Sequence, residues 1–205
     1  MKFIFDLDGT LTSEETLPII AKEFHLEDQI EELTINTLNG KIPFLESFTK
    51  RIDILGDLPI SKINSLLESV NLHKEIVKFI RENIDNCIIA TGNFKEWVEG
   101  LIKKIGCKYY SSEGVIKSDK IIELTHILKK EIIVDLYKER GEFVTFIGDS
   151  NNDIEAMRRA DISITTGITH SPAIGTLKVA THSVFTEYDL IKTLNKIKQQ
   201  EKYRN

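Results

Sequence analysis

Two aspartates one residue apart, Asp6 and Asp8, end an apolar run in "IFDLDGTLT" at residues 4–12. Acids that follow an apolar strand sit where an open α/β sheet presents its chemistry, beyond the carboxyl ends of its strands. Two more segments carry that signature. "ATGN" places Thr91 after the apolar "CIIA" run, and "GDSNND" places Asp149 and Asp153 after "EFVTFIG". A lysine opening the helix before that last strand completes the set. Any one of these is ordinary alone: a lone Asp-x-Asp is commonly a strand-end turn, and Asp153 suits the first turn of a helix through its dipole. Their joint occurrence, each at a strand end, points to a site.

Four carboxylates gathered there would repel one another by roughly a few kcal/mol per close pair at an effective dielectric of about 20. A divalent cation resolves that conflict. Oxygen-only ligands without paired histidines favour a hard ion, and Mg²⁺ in particular is held by one or two carboxylates, water and a substrate phosphate. The Thr91 hydroxyl and an ammonium would supply hydrogen bonds and charge to a phosphate dianion, so the constellation describes phosphoryl transfer. Asp6, immediately at the strand end, is the candidate nucleophile, because carboxylates form acyl-phosphates. Asp8, two residues on, can give a proton to the leaving oxygen and later take one from water.

The elements that must position these groups are legible as alternating runs. β-rich segments at 2–5, 86–90, 142–149 and 162–166 are separated by helical periodicity, which predicts an α/β fold with a parallel sheet covered by helices on both faces. The crevice of such a sheet lies where the winding reverses. A central first strand, flanked by the 86–90 and 142–148 strands, would therefore bring the motifs together.

Roughly 80 residues separate the first two strands, far more than one crossover needs, so something is inserted there. Ser13 can cap a helix with Glu14 and Glu15 in its first turn, Gly40 and Pro43 break the next segment, "FLESFTKRIDIL" is amphipathic, and a further helix starts after Pro59. Residues 13–73 read as a small helical cap domain, leaving 1–12 and 74–205 as the core. "HKEIVKFIREN" from His73 reads as the crossover helix back to the sheet. Gly114 and Ser118-Asp119 mark a hairpin before a helix from Lys129 to Arg140.

Composition bounds the rest. With 205 residues, 41% of them hydrophobic, the chain can build a substantial core. The net charge of −5 and the interspersed lysines argue against nucleic acid as a partner. No long apolar stretch suggests a membrane span or a signal peptide, giving a cytoplasmic expectation. Cys87 and Cys107 lack metal-ligand spacing and read as packed thiols.

Taken together, "DLDGTLT", "ATGN", a lysine and "GDSNND" resemble the motifs of the haloacid dehalogenase-like superfamily of phosphohydrolases, over essentially the whole chain. The resemblance implies a Rossmann-like core, Mg²⁺ dependence and an aspartyl-phosphate intermediate. It makes Asp6 the nucleophile, Asp8 the general acid/base and Thr91 a phosphate ligand, with Asp6, Asp8 and Asp149 at the metal and Asp153 supporting it. Lys129 matches the family lysine that screens phosphate charge, with Lys130 the competitor; Lys117 and Lys120 read as hairpin surface residues.

Within the superfamily the insertion is similar to the cap of phosphoserine phosphatases. Phe44 matches an aromatic lid, Arg51 a carboxylate-binding arginine and Glu15 the acid for the substrate ammonium. Arg51 and Glu15 together would recognise an amino-acid zwitterion. Gly92, Asn93 and Asn152 complete the expected substrate contacts. Asn93 and Lys95 depart from the family pattern, which has a second small residue and an acid there, and His170 in "TTGITHSP" reads as a loop residue. The implied reaction is hydrolysis of a small phosphorylated metabolite, phosphoserine above others, by a monomer or homodimer. Another small phosphate or nucleotide, a phosphomutase reaction and a non-catalytic binding module are the alternatives.

Overall fold

The structure is a computed structural model that describes residues 1–38 and 41–202, with the side chains of 37, 38, 44, 45 and 202 outside that description. Among the described residues seven strands form one sheet: β1 (Lys2–Phe5), β2 (Cys87–Phe94), β3 (Lys108–Lys117), β4 (Lys120–His126), β5 (Val144–Gly148), β6 (Ile162–Thr166) and β7 (His182–Val184). Their order is β4-β3-β2-β1-β5-β6-β7, all parallel except the β3–β4 hairpin. The hairpin turns at Ser118 and Asp119, both with positive φ, at the punctuation visible in the sequence.

β1 is central. Ile4 is in register with Ile88 of β2 on one side and Phe146 of β5 on the other, so the winding reverses at its C-terminal end. The apolar continuity of β1, β2 and β5 follows from coverage on both faces. One apolar layer holds Phe3, Phe5, Ile89 and Ile147 under the helices α5 (Lys74–Glu82) and α10 (Glu187–Lys202); the opposite layer holds Ile4, Ile88 and Phe146 under α7 (Lys130–Lys138) and α8 (Ile154–Arg159). α6 (Lys95–Ile105) links β2 to β3, and α9 (Ile174–Val179) links β6 to β7.

The segment between β1 and α5 contains four helices: α1 (Thr16–Glu23), α2 (Glu27–Leu38), α3 (Phe44–Leu55) and α4 (Ile60–Glu68). The chain leaves and re-enters the core side by side, with Thr12 bridged to Leu72, Ser13 N–H donating to the Asn71 carbonyl and His73 N–H to that of Leu11. α3 coincides with the amphipathic run, and Pro59 precedes α4, where its missing N–H costs no helical hydrogen bond.

Ser13 does not cap α1. Its hydroxyl donates to Asn71, and the helix begins three residues later with Glu15 at the N-cap. α4 is tied to the core rather than held free of it. Asp119 of the hairpin turn accepts from both the amide and the hydroxyl of Ser61, and Asn64 donates to the Glu96 carbonyl of α6. No helix among the described residues is long and apolar enough to cross a membrane.

Candidate active site

Asp6 sits one residue past β1, 3% exposed. Its Oδ1 accepts from the Leu7 amide at 2.7 Å and lies 2.7 Å from Lys130 Nζ. Burial pushes the Asp6 carboxyl well above the usual carboxylate range; the Lys130 ammonium opposes this, and Asp153 and Asp149 reinforce it. Asp149 and Asp153, from the other side of β1, are 1% and 0% exposed.

Asp153 is fully occupied. Oδ1 meets Lys130 Nζ at 2.6 Å, while Oδ2 accepts from the amides of Asp149 and Ser150, each at 3.0 Å. This is a capping box closed over a short 3₁₀ turn, Asn151–Asp153. Asp149 Oδ1 accepts from the Thr10 hydroxyl at 2.6 Å, and its Oδ2 is buried without a hydrogen-bond partner.

Asp6, Asp149 and Asp153 each offer an oxygen within 4.8 Å of the others. Three buried carboxylates beside one buried ammonium leave a surplus of negative charge that a divalent cation would neutralise, and the oxygen-only donor set fits Mg²⁺. With Asp153 held by Lys130 and two amides, Asp6 and Asp149 are the pair with oxygens to spare.

The lysine that stands beside the acids is Lys130, not Lys129. Lys129 occupies the N-cap of α7 and is exposed, whereas Lys130 is 2% exposed and also reaches Asn152 Oδ1 at 3.2 Å. The reason is helical register: Lys130 falls on the stripe of Ile133, Val134 and Tyr137 that packs against the sheet. That spacing was available in the sequence.

The Asp8 carboxylate is placed differently from those of Asp6, Asp149 and Asp153. Its oxygens are not among the clustered metal-ligand atoms, because it is turned to the start of α1, where Thr16 donates its amide at 3.0 Å and its hydroxyl at 2.8 Å. Asn93 Nδ2 adds a third donor at 2.8 Å. Burial nonetheless raises the Asp8 carboxyl, against the hydrogen bonds from Thr16 and Asn93. The Asn93 amide that departs from the family pattern thus has a partner in the Asp8 carboxylate.

Thr91, 1% exposed, accepts the Asn93 amide at 3.1 Å. The Gly92 carbonyl accepts from Ser112 of β3 at 2.7 Å, which fixes the C-terminal part of β2. Asn152 is half-buried between Lys130 and Ser150, and a Cβ on Gly92 would stand 3.9 Å from its Nδ2. The β1, β2 and β5 ends therefore meet, as the motif positions require.

The cap residues are more dispersed. Arg51 donates through Nη2 to Thr34 of α2 at 2.9 Å, and its Nε is buried without a hydrogen-bond partner; burial lowers its pKa. Among the described residues it makes no ion pair and no contact with the acidic cluster. The Phe44 side chain lies outside the described residues. Phe48, one turn along α3, stacks on Phe94 with ring centroids 6.5 Å apart.

Glu15 is inside the site's rim, paired with His170 at 2.6 Å. Burial and the nearby Asp8 and Asp149 charges push its carboxyl up to about 7, with His170 opposing. His170 lies in a loop, as its sequence context suggests, and its ring faces the acids. Its loop follows β6, and no spacing in the sequence connects it with Glu15, 155 positions away. Thr10, Thr16 and Ser150, which orient the acids, were also unmarked, although each lies within or beside a motif.

Comparison with known proteins follows the same outline. The chain is 28% identical over 174 residues to a phosphoserine phosphatase of Methanocaldococcus jannaschii, covering 78% of this chain and 82% of that one. A phosphoserine phosphatase of Lactococcus lactis is 24% identical, covering 78% and 81%. Among solved structures, a phospho-aspartyl intermediate analogue of phosphoserine phosphatase superposes with a TM-score of 0.76 at 24% identity, covering 93% of this chain and 97% of that one. The pattern of haloacid dehalogenase-like hydrolases matches residues 3–161, which include all three strand-end motifs and the buried lysine, and the chain belongs to that family.

Proposed function

We propose that this protein is a Mg²⁺-dependent phosphomonoesterase that acts through an aspartyl-phosphate on Asp6, with O-phospho-L-serine as substrate. The observation that carries the reading is the asymmetry of Asp6: Oδ1 is pinned by Lys130 and the Leu7 amide, while no hydrogen bond engages Oδ2 among the described residues. A carboxylate held by one oxygen presents the other at a fixed angle, which suits it to attack phosphorus.

In the first step Asp6 Oδ2 bonds to phosphorus, the ester P–O bond breaks, and Asp8 gives its proton to the departing oxygen. In the second, Asp8 takes a proton from water, the water oxygen bonds to phosphorus, and the bond to Asp6 breaks, releasing inorganic phosphate. Thr91 and Lys130 stand beside the phosphoryl oxygens. Mg²⁺ held at the cluster of Asp6, Asp149 and Asp153 would neutralise phosphate charge.

The names of the relatives support phosphoserine, since the match spans most of both chains. Arg51 would grip the substrate carboxylate and Glu15 its ammonium as residues 13–73 close over the site, with Phe44, Gly92, Asn93 and Asn152 completing its walls. A cytoplasmic location suits a small phosphorylated metabolite. A specific observation favours a second reading: Glu15 is already paired with His170, which suits a phosphomonoester without an ammonium.

Phosphate release measured over L-phosphoserine, D-phosphoserine, phosphothreonine, sugar phosphates, nucleotides and an aryl phosphate decides between them. Asp6→Asn should abolish turnover of every substrate, and retained turnover would remove Asp6 as nucleophile. Arg51→Ala should damage phosphoserine turnover far more than aryl-phosphate turnover; equal damage would refute the carboxylate role.

A further inference from the structure

Three side chains from separate segments converge above Gly9. A Cβ at that position would lie 2.7 Å from Glu15 Oε1, 2.7 Å from His170 Nε2 and 2.9 Å from Asp149 Oδ2. Gly9 has φ +66°, so glycine meets both a backbone and a space requirement there. One donor atom from each of the three residues lies within 4.8 Å of the other two.

The details are those of a ligand set. His170 Nδ1 lies 2.9 Å from the Ser171 carbonyl, which can only accept, so Nδ1 carries the proton and the Nε2 lone pair faces the acids whenever the ring is neutral. Asp149 is 1% exposed and its Oδ2 has no hydrogen-bond partner, yet that oxygen sits 3.2 Å from Nε2. Ligands of a tetrahedral zinc ion with bonds of about 2.0–2.2 Å stand roughly 3.3–3.6 Å apart. The His170–Asp149 spacing of 3.2 Å lies just below that range. Glu15, at 2.6 Å from Nε2, need only swing outward, and both it and His170 are more than a third exposed.

We propose that Glu15, Asp149 and His170 form a second divalent-cation site, for a borderline ion such as Zn²⁺, adjoining the acidic trio through the shared Asp149. The imidazole nitrogen is what separates the two sites: the oxygen-only trio suits Mg²⁺, whereas nitrogen shifts preference toward Co²⁺, Ni²⁺ and Zn²⁺. Three protein donors leave a fourth position to solvent, the open form of a zinc site.

The inference is independent of the substrate, because its readout is metal binding. The full chain in saturating Mg²⁺ is titrated with Zn²⁺ by calorimetry and with Co²⁺ by visible absorption, alongside His170→Ala and Glu15→Gln, each first checked for folding by thermal melting. Expected are one equivalent of Zn²⁺ bound in the presence of Mg²⁺, a Co²⁺ visible band, and a loss of affinity of at least about tenfold in both variants. His170→Asn replaces any variant that fails to fold. Zn²⁺ affinity unchanged by both substitutions, Zn²⁺ displaced in proportion to added Mg²⁺, or no Zn²⁺ bound at all would overturn the proposal.

Discussion

Lys130 offers the sharpest test of how the site is held together. Its ammonium lies 2.7 Å from Asp6 and 2.6 Å from Asp153, with 2% of its side chain exposed. At an effective dielectric of about 20 each of these pairs attracts by about 6 kcal/mol. Desolvation of the ammonium offsets most of that sum. Removing it strands two buried carboxylates, and breaking a buried pair in this way costs ~3–5 kcal/mol. Lys130→Met, close in volume, should therefore lower the metal-free midpoint of thermal unfolding by roughly 10 °C for a chain of this size. Lys129→Met, at an exposed position, should stay within ~0.5 kcal/mol of the parent.

The assay is urea and thermal unfolding of the three chelator-treated proteins, repeated with Mg²⁺. Added Mg²⁺ should recover more stability in Lys130→Met than in the parent, since the cation supplies charge the lysine no longer does. The pH dependence has a definite sign. Asp6 and Asp153 are raised above the ordinary carboxylate value by burial, and more so without the ammonium, so the folded variant takes up protons before the unfolded chain does. The deficit should shrink as pH falls toward the unfolded carboxyl value and grow as pH rises. Equal midpoints for Lys130→Met and Lys129→Met would refute the ion-pair account.

Two other outcomes are expected. Asn93→Ala removes a donor that favours ionised Asp8, so the alkaline limb of the kcat/KM profile, above which Asp8 no longer holds the proton it gives the leaving oxygen, should move to higher pH; an unmoved limb would separate Asp8 from the titrating step. Burial pushes the thiol of Cys87 up to about 12 and that of Cys107 up to about 11, so at pH 8 native Cys87 holds only about one thiolate in ten thousand. Thiol reagents should label both residues slowly in the folded protein and rapidly in urea, and fast native labelling would contradict their packing.

What the sequence disclosed was set by how local the signal is. β1, β6, the hairpin turn and α3 are each coded by residues adjacent in the chain, and their bounds were readable to within a residue or two. The strand-end acids were legible for the same reason. The choice between two adjacent lysines depended on which one shares a face with Ile133, Val134 and Tyr137, a periodic signal outweighed by likeness to a motif. The Asp8 side chain could not be aimed from sequence, because Thr16 and Asn93 approach it from a cap helix and from another strand. His170 is harder still: nothing local distinguishes it, and only the folded chain sets its loop beside Glu15.

Thr16, the first residue of α1, hangs its amide and hydroxyl on the same Asp8 carboxylate that is proposed to move protons. A charged oxygen binds such donors about twice as strongly as a neutral one. The start of α1 is thus held more firmly when Asp8 is ionised than when it is protonated, so the charge on this one carboxylate sets how tightly the helix is anchored to the end of β1.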